Sequence, residues 1–163
     1  MDKGKILVGQ CDGNYLIKMT GDVRVTLCAS LNQYINTIFK QQSVQAVLVD
    51  LLDAEGLDST TLGLLAKLAL HSKRVYGIVP RLFCSDRSIL KTLEVMALDE
   101  LFEIIPKNVN AELSLRELGC CQDEERARAD VLEAHKLLVE INPKCEAEFI
   151  DLIRYLENEV SIQ

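Results

Sequence analysis

The segment Ala46-Val47-Leu48-Val49-Asp50-Leu51, followed after a few residues by Leu57-Asp58-Ser59-Thr60-Thr61-Leu62-Gly63-Leu64-Leu65, decides how this chain is read. Its first part is a continuous apolar, β-branched run, the mark of a strand buried on both faces. Asp53 to Leu57, with Gly56, reads as a polar loop. From about Thr60 to Arg74 the pattern predicts a helix with Leu62, Leu65, Leu68 and Ala69 on one face and Gly77 as its C-cap. Three small hydroxyl residues after an Asp are expected to form a surface cluster between strand and helix. Simple capping of the helix by Asp58 or Ser59 also accounts for them.

Working outward, residues 5–11 and 15–20 are two β-like runs around the hairpin loop Asp12-Gly13-Asn14, with Gly21-Asp22 ending the second. Leu27, Leu31, Tyr34, Ile35, Ile38 and Phe39 recur at helical spacing. Downstream, Pro80–Cys84 predicts a strand, Ser85 an N-cap for a helix carrying Ile89, Leu90, Leu93 and Met96, and Phe102–Ile105 a last short strand. The order β-β-α-β-α-β-α-β implies an α/β fold with one mixed sheet whose later strands are joined by helical crossovers. This unit is placed at residues 1–106.

Residues 107–163 differ in character. Residues 1–106 hold 11 Lys and Arg against 12 Asp and Glu, whereas 107–163 hold 7 against 13. After a connector over 107–121, Val131, Ala134, Leu138 and Ile141 form one helical stripe, and Phe149, Leu152, Ile153, Leu156 and Val160 a second, punctuated by Asn142-Pro143. This two-helix extension must bury its stripes on each other, on the sheet domain or on a second copy in a homodimer. Glu124-Glu125 reads as the acidic first turn of its first helix.

The whole chain of 163 residues carries a net charge of −7, the wrong sign for binding a phosphate backbone, and it has few aromatics and no Trp. No apolar run approaches the ~20 residues of a membrane span, and the start lacks a signal-peptide pattern, so no membrane association and a cytoplasmic location are expected. Of six cysteines, Cys28 and Cys84 read as small buried hydrophobes, and nothing suggests a disulfide framework. His71 and His135 stand alone, without the paired ligands of a metal site. His71, late in its helix, suits the dipole as a cation, and His135 reads as solvated or half-buried. No phosphate-binding, dinucleotide or nucleophile-elbow motif occurs.

The stretch Asp58-Ser59-Thr60-Thr61-Leu62-Gly63 resembles the signature of the STAS domain of bacterial anti-sigma factor antagonists, Asp-Ser-Ser/Thr-Gly-Leu-Gly between a buried strand and a helix. The opening hairpin, the Gly21-Asp22 turn and Met96-Ala97-Leu98-Asp99-Glu100-Leu101-Phe102 match the family's layout, with Ala97 where Gly is usual. The resemblance covers residues 5–106, and the acidic tail is similar to that of longer gammaproteobacterial members. It implies a non-catalytic partner switch that needs no cofactor of its own. Ser59 would be phosphorylated by an anti-sigma factor with serine kinase activity, which supplies the ATP, and reset by a PP2C-like phosphatase. The unphosphorylated form would bind the anti-sigma factor through Gly21, Asp22, Asp58, Thr60, Thr61, Leu62 and Gly63. Thr61 replaces a common Gly and would add a β-branched side chain to that surface. Arg24 stands where an acidic residue is frequent. Thr60 and Thr61 are secondary targets for modification.

Two rival readings accompany this one. The first is a STAS-like scaffold or ligand-sensing module in which Ser59 only caps a helix. The second is a hydrolase using Ser59, disfavoured because no base is visible to activate it.

Overall fold

The computed structural model describes residues 2–107, 115–120 and 123–162. Asp12 and Gly13, both at positive φ, turn the chain between β1 (Lys5–Cys11) and β2 (Asn14–Val23), which pair antiparallel. A 3₁₀ turn leads into α1 (Cys28–Phe39). Then follow β3 (Ala46–Leu57), α2 (Ser59–Tyr76), β4 (Arg81–Phe83), α3 (Arg87–Val95) and β5 (Glu103–Ile105). Strands β2 to β5 pair in parallel, and with the two-residue strand β6 (Arg116–Glu117) the sheet order is β5-β4-β3-β2-β1-β6. The expected mixed sheet with helical crossovers is therefore observed.

Its register explains the apolar pattern. Val8, Ile17, Val49 and Leu82 lie opposite one another across four strands, and each is at most 1% exposed. One such row removes branched side chains from water together, which favours this register over a one-residue slip.

Three expectations are corrected in the sheet. Gly21-Asp22 does not end β2, and Asp53–Leu57 is not a loop: both strands run on, pairing Gly21 with Ala54 and Val23 with Leu57. The continuation passes through register shifts around Lys18–Thr20 and Gly21–Asp22, and Gly21 takes φ +69°. A Cβ there would lie 2.7 Å from the Lys3 carbonyl oxygen, so only glycine lets the N-terminal segment close over the bulge. Within the expected connector, Arg116–Glu117 forms β6, an edge strand on β1. Residues 108–114, 121 and 122 lie outside the described residues.

The helix ends follow their local chemistry. Gly77, at φ +66°, closes α2. The N-cap of α3 is Asp86, whose Oδ1 accepts from the Ile89 N–H at 3.0 Å, rather than Ser85. A carboxylate favours a helix start more strongly than a hydroxyl through the dipole. Ala97 adopts φ +62°, the left-handed conformation in which glycine is usual.

The tail forms α4 (Glu124–Ile141) and α5 (Glu146–Ile162), joined by a 3₁₀ turn at Pro143–Cys145. Glu124 and Glu125 occupy the first turn of α4. The hairpin packs within the same chain, and Leu138, Cys145, Phe149 and Ile153 join the buried cluster built around the sheet. Leu152 is 37% exposed, and the side chain of Val160 is outside the described set. Among the described residues no helix is long and apolar enough to cross a membrane.

Candidate functional site at the start of α2

The start of α2 is placed by the end of β2. The Asp58 N–H donates to the Val23 carbonyl at 3.3 Å, bringing Gly21–Val23 beside Asp58–Ser59. Asp58 is extended, and its Oδ1 accepts from the Thr61 N–H at 2.9 Å and from the Thr61 hydroxyl at 2.8 Å. The helix cap is thus Asp58 alone, and Ser59 is the first helical residue. This removes the reading of Ser59 as a cap: its oxygen satisfies no helix-end N–H and is left for other chemistry.

The expected surface cluster of hydroxyls is corrected as well. Thr60 is 4% and Thr61 0% exposed. Thr61 points inward, its hydroxyl on Asp58 and 3.5 Å from the Cys28 sulfur, so it adds nothing to a partner surface and is no accessible target. Burial pushes the Cys28 thiol up to about 12, beyond what the Thr61 hydrogen bond offsets, consistent with an inert buried sulfur. Leu62 and Gly63 are buried too, as is Gly21. Asp22, Asp58 and Ser59 remain partly exposed. Asp22 pairs with Arg24, Nε to Oδ2 at 2.7 Å, across the end of β2.

What covers this face is α4. His135 Nε2 lies 2.7 Å from Ser59 Oγ. Its Nδ1 lies 2.7 Å from the Val131 carbonyl, which can only accept. Nδ1 therefore carries a proton, and in the neutral ring Nε2 accepts from the Ser59 hydroxyl. One turn on, Gly63 meets Ala134 so closely that a Cβ on Gly63 would sit 2.4 Å from the Ala134 carbonyl oxygen. A further turn on, Lys67 Nζ pairs with Glu133 at 2.6 Å and donates to Asn32 Oδ1 at 2.9 Å. The Asn32 amide in turn donates to Asp130 Oδ1 at 2.7 Å, while Asp130 Oδ2 is buried with no partner among the described residues. Burial raises the Asp130 carboxyl above its ordinary range, more than Asn32 and the nearby cations lower it.

Both histidine expectations change. His135 is not solvated: it is 2% exposed, edge-on to Phe149, and supplies the base near Ser59 that sequence reading did not find. The two residues are 76 positions apart, with no motif linking them. A usable signal did exist in Gly63, an isolated glycine within a helical pattern, where the missing side chain leaves room for a close neighbour. His71 is not poised as a cation. It stacks on Phe39 with centroids 3.5 Å apart, and desolvation, then Lys67, lowers its pKa.

Chemically, the site offers a serine hydroxyl at a helix N-terminus, a histidine acceptor and a neighbouring carboxylate. No group of three or more His, Cys, Asp or Glu side chains suited to a metal ion occurs among the described residues. A surface cavity of about 500 Å³, lined by Val25, Thr26, Cys120, Asp123 and others, includes neither Ser59 nor His135.

No protein-family model matches the chain, and a search of curated proteins finds no match. Among solved structures, the fold is similar to that of an anti-sigma factor antagonist from Mycobacterium paratuberculosis. The match has a TM-score of 0.54 at 22% identity and covers 64% of this chain and 87% of that one. The STAS-like α/β fold expected from the sequence is thereby shown.

Proposed function

We propose that this protein is an anti-sigma factor antagonist acting as a phosphorylation-controlled partner switch, with Ser59 as the switch residue. The observation that carries the reading is the place of Ser59: first residue of α2, after the Asp58 cap and beside the end of β2, on a fold similar to a solved antagonist. An anti-sigma factor with serine kinase activity would transfer the γ-phosphoryl group of ATP to Ser59 Oγ. The P–O bond to ADP breaks as the bond to Oγ forms, and the hydroxyl proton leaves to a base. A phosphate adds about −1.5 to −2 charge, which a helix N-terminus tolerates but a partner packed against Asp58 and Ser59 does not. Changing partner affinity about 5–150-fold needs no refolding. A PP2C-like phosphatase would reverse the step by hydrolysis. The domain division at residue 106 and the cytoplasmic setting belong to the same proposal.

The test is affinity for anti-sigma kinase domains of the same genome, measured with wild type, Ser59→Ala and Ser59→Asp. Wild type and Ser59→Ala should bind one of them and Ser59→Asp should not. Equal binding by all three, or none by any, would overturn the switch.

The Ser59–His135 hydrogen bond favours one second reading, a hydrolase with Ser59 as nucleophile. Burial of the His135 ring against Phe149 weighs against it, because a general base must next hand its proton to a leaving group. Turnover of a p-nitrophenyl ester that disappears in both Ser59→Ala and His135→Ala would establish it.

A further inference from the structure

Helix α4 lies on the face of α2 that carries Ser59, and we infer that it occupies the partner's docking surface, so that the anti-sigma factor binds by displacing the C-terminal hairpin. This rests on the partner-switch reading and adds what covers the surface and what kind of partner fits it.

The contacts repeat along one stripe of α2: Ser59 with His135, Gly63 with Ala134 and Lys67 with Glu133. Residues four apart on a helix share a face, so α4 seats on a single continuous strip. The strip has a shape, since the missing side chain of Gly63 leaves a depression that takes only a small residue. It also has a sign, since Lys67, and beside it the Asn32 amide of α1, receive two carboxylates, Glu133 and Asp130.

The seam is mixed: Leu138 of α4, with Phe149 and Ile153 of α5, buries apolar surface in the core, and polar groups stand beside it. These are a carboxylate oxygen buried without a partner among the described residues, a buried histidine and a cation shared between Asn32 and Glu133. Those polar groups can also be covered by water, which a face of leucines cannot. The partner is therefore assigned by chemistry: an anti-sigma factor presenting a helix with a small side chain for Gly63 and acidic side chains for Lys67 and Asn32. In the covered state the Ser59 hydroxyl is held by His135 Nε2, so phosphorylation draws on the same uncovered form. Apparent affinity then scales with the fraction of molecules uncovered.

The test uses full-length protein and variants on the hairpin side, which leave the α2 face intact. Ala134→Leu overfills the contact at Gly63, and His135→Ala removes the Ser59 attachment. Hydrogen exchange should show faster exchange across α4 and α5 in both, with β2 and β3 unchanged. Affinity for the anti-sigma kinase domain should rise about tenfold in Ala134→Leu and severalfold in His135→Ala. Faster exchange with wild-type affinity, or weaker binding, would overturn the inference while leaving the partner switch standing. Unchanged exchange in both variants would overturn it too, by removing the seam's role in holding the hairpin. Failure of the kinase domain to bind wild type and the uncovered variants alike would overturn the partner switch, and this inference with it.

Discussion

Helix α2 is buried along two sides, and the two seams are made of different material. Opposite Gly63, about 200° around the helix, Leu65 is 0% exposed, and Leu64 and Leu68 join it in the cluster built around the sheet. The seam with α4 runs instead through a hydroxyl–imidazole bond, a glycine–alanine contact and a relay of charged and amide groups. The first buries apolar area and loses it all on separation. The second combines hydrogen bonds that water can replace, each worth only about 0.5–1.5 kcal/mol net, with the apolar burial of Leu138, Phe149 and Ile153 in the core. One helix thus carries an apolar attachment and a mixed one, and the residue proposed as the switch stands on the mixed one.

The comparison is broken most severely from the apolar side. Leu65→Ala should cost about 2–5 kcal/mol, read by urea denaturation as a loss of the whole fold in one transition. Ala134→Leu acts on the other seam and should cost about 1–3 kcal/mol, but locally. Cys145, now 4% exposed with its sulfur 3.7 Å from that of Met96, should become open to alkylation at the peptide level while Cys28 stays protected.

Ala97→Gly sharpens the comparison, because it touches neither seam. Relief of the left-handed alanine at φ +62° is worth about 1–2 kcal/mol, offset by about 0.4–1 kcal/mol of unfolded-chain entropy. Thermal unfolding should show a rise in midpoint with no change in hairpin exchange.

The smallest effect is one of pH. Asp130 is raised chiefly by desolvation, with Asn32, Arg126 and Lys67 lowering it and Glu133 adding to the rise. The native state therefore holds this proton more tightly than the unfolded chain, and Asp130 destabilises the fold above its raised pKa. That penalty fades as pH falls through the raised value toward the ordinary one. Wild type should gain stability relative to Asp130→Asn as pH drops from 7 toward 4.5, and a constant difference would remove Asp130 from this account.

The two seams were also unequally legible. The sheet-facing seam follows from periodicity: Leu62, Leu65 and Leu68 recur at helical spacing, and Val47–Leu51 announces the strand beneath. The α4 stripe was legible as amphipathic, and Ala134 and Leu138 are indeed buried. What it packs on was not, because His135–Ser59 and Asp130–Asn32 are pairs 76 and 98 residues apart between unremarkable polar residues. The full length of β3 is not legible for a related reason. Asp53–Leu57 is polar, and it is a strand only because the bulge at Gly21 lets β2 run beside it. Two-residue β6 has no period to read. Asp58 is legible as one of two candidate caps, with Ser59. Its monopoly of the cap, which leaves the Ser59 hydroxyl to His135, depends on where the Thr61 N–H and hydroxyl point.

The most direct test of the mixed seam is native-state hydrogen exchange on the full chain without partner. Amides of α4 and α5 should exchange together through an opening smaller in free energy than that of β2, β3 and the middle of α2, which should report the global value. If the hairpin amides exchange only at the same free energy as the sheet, the hairpin is part of one cooperative core and the two seams do not differ.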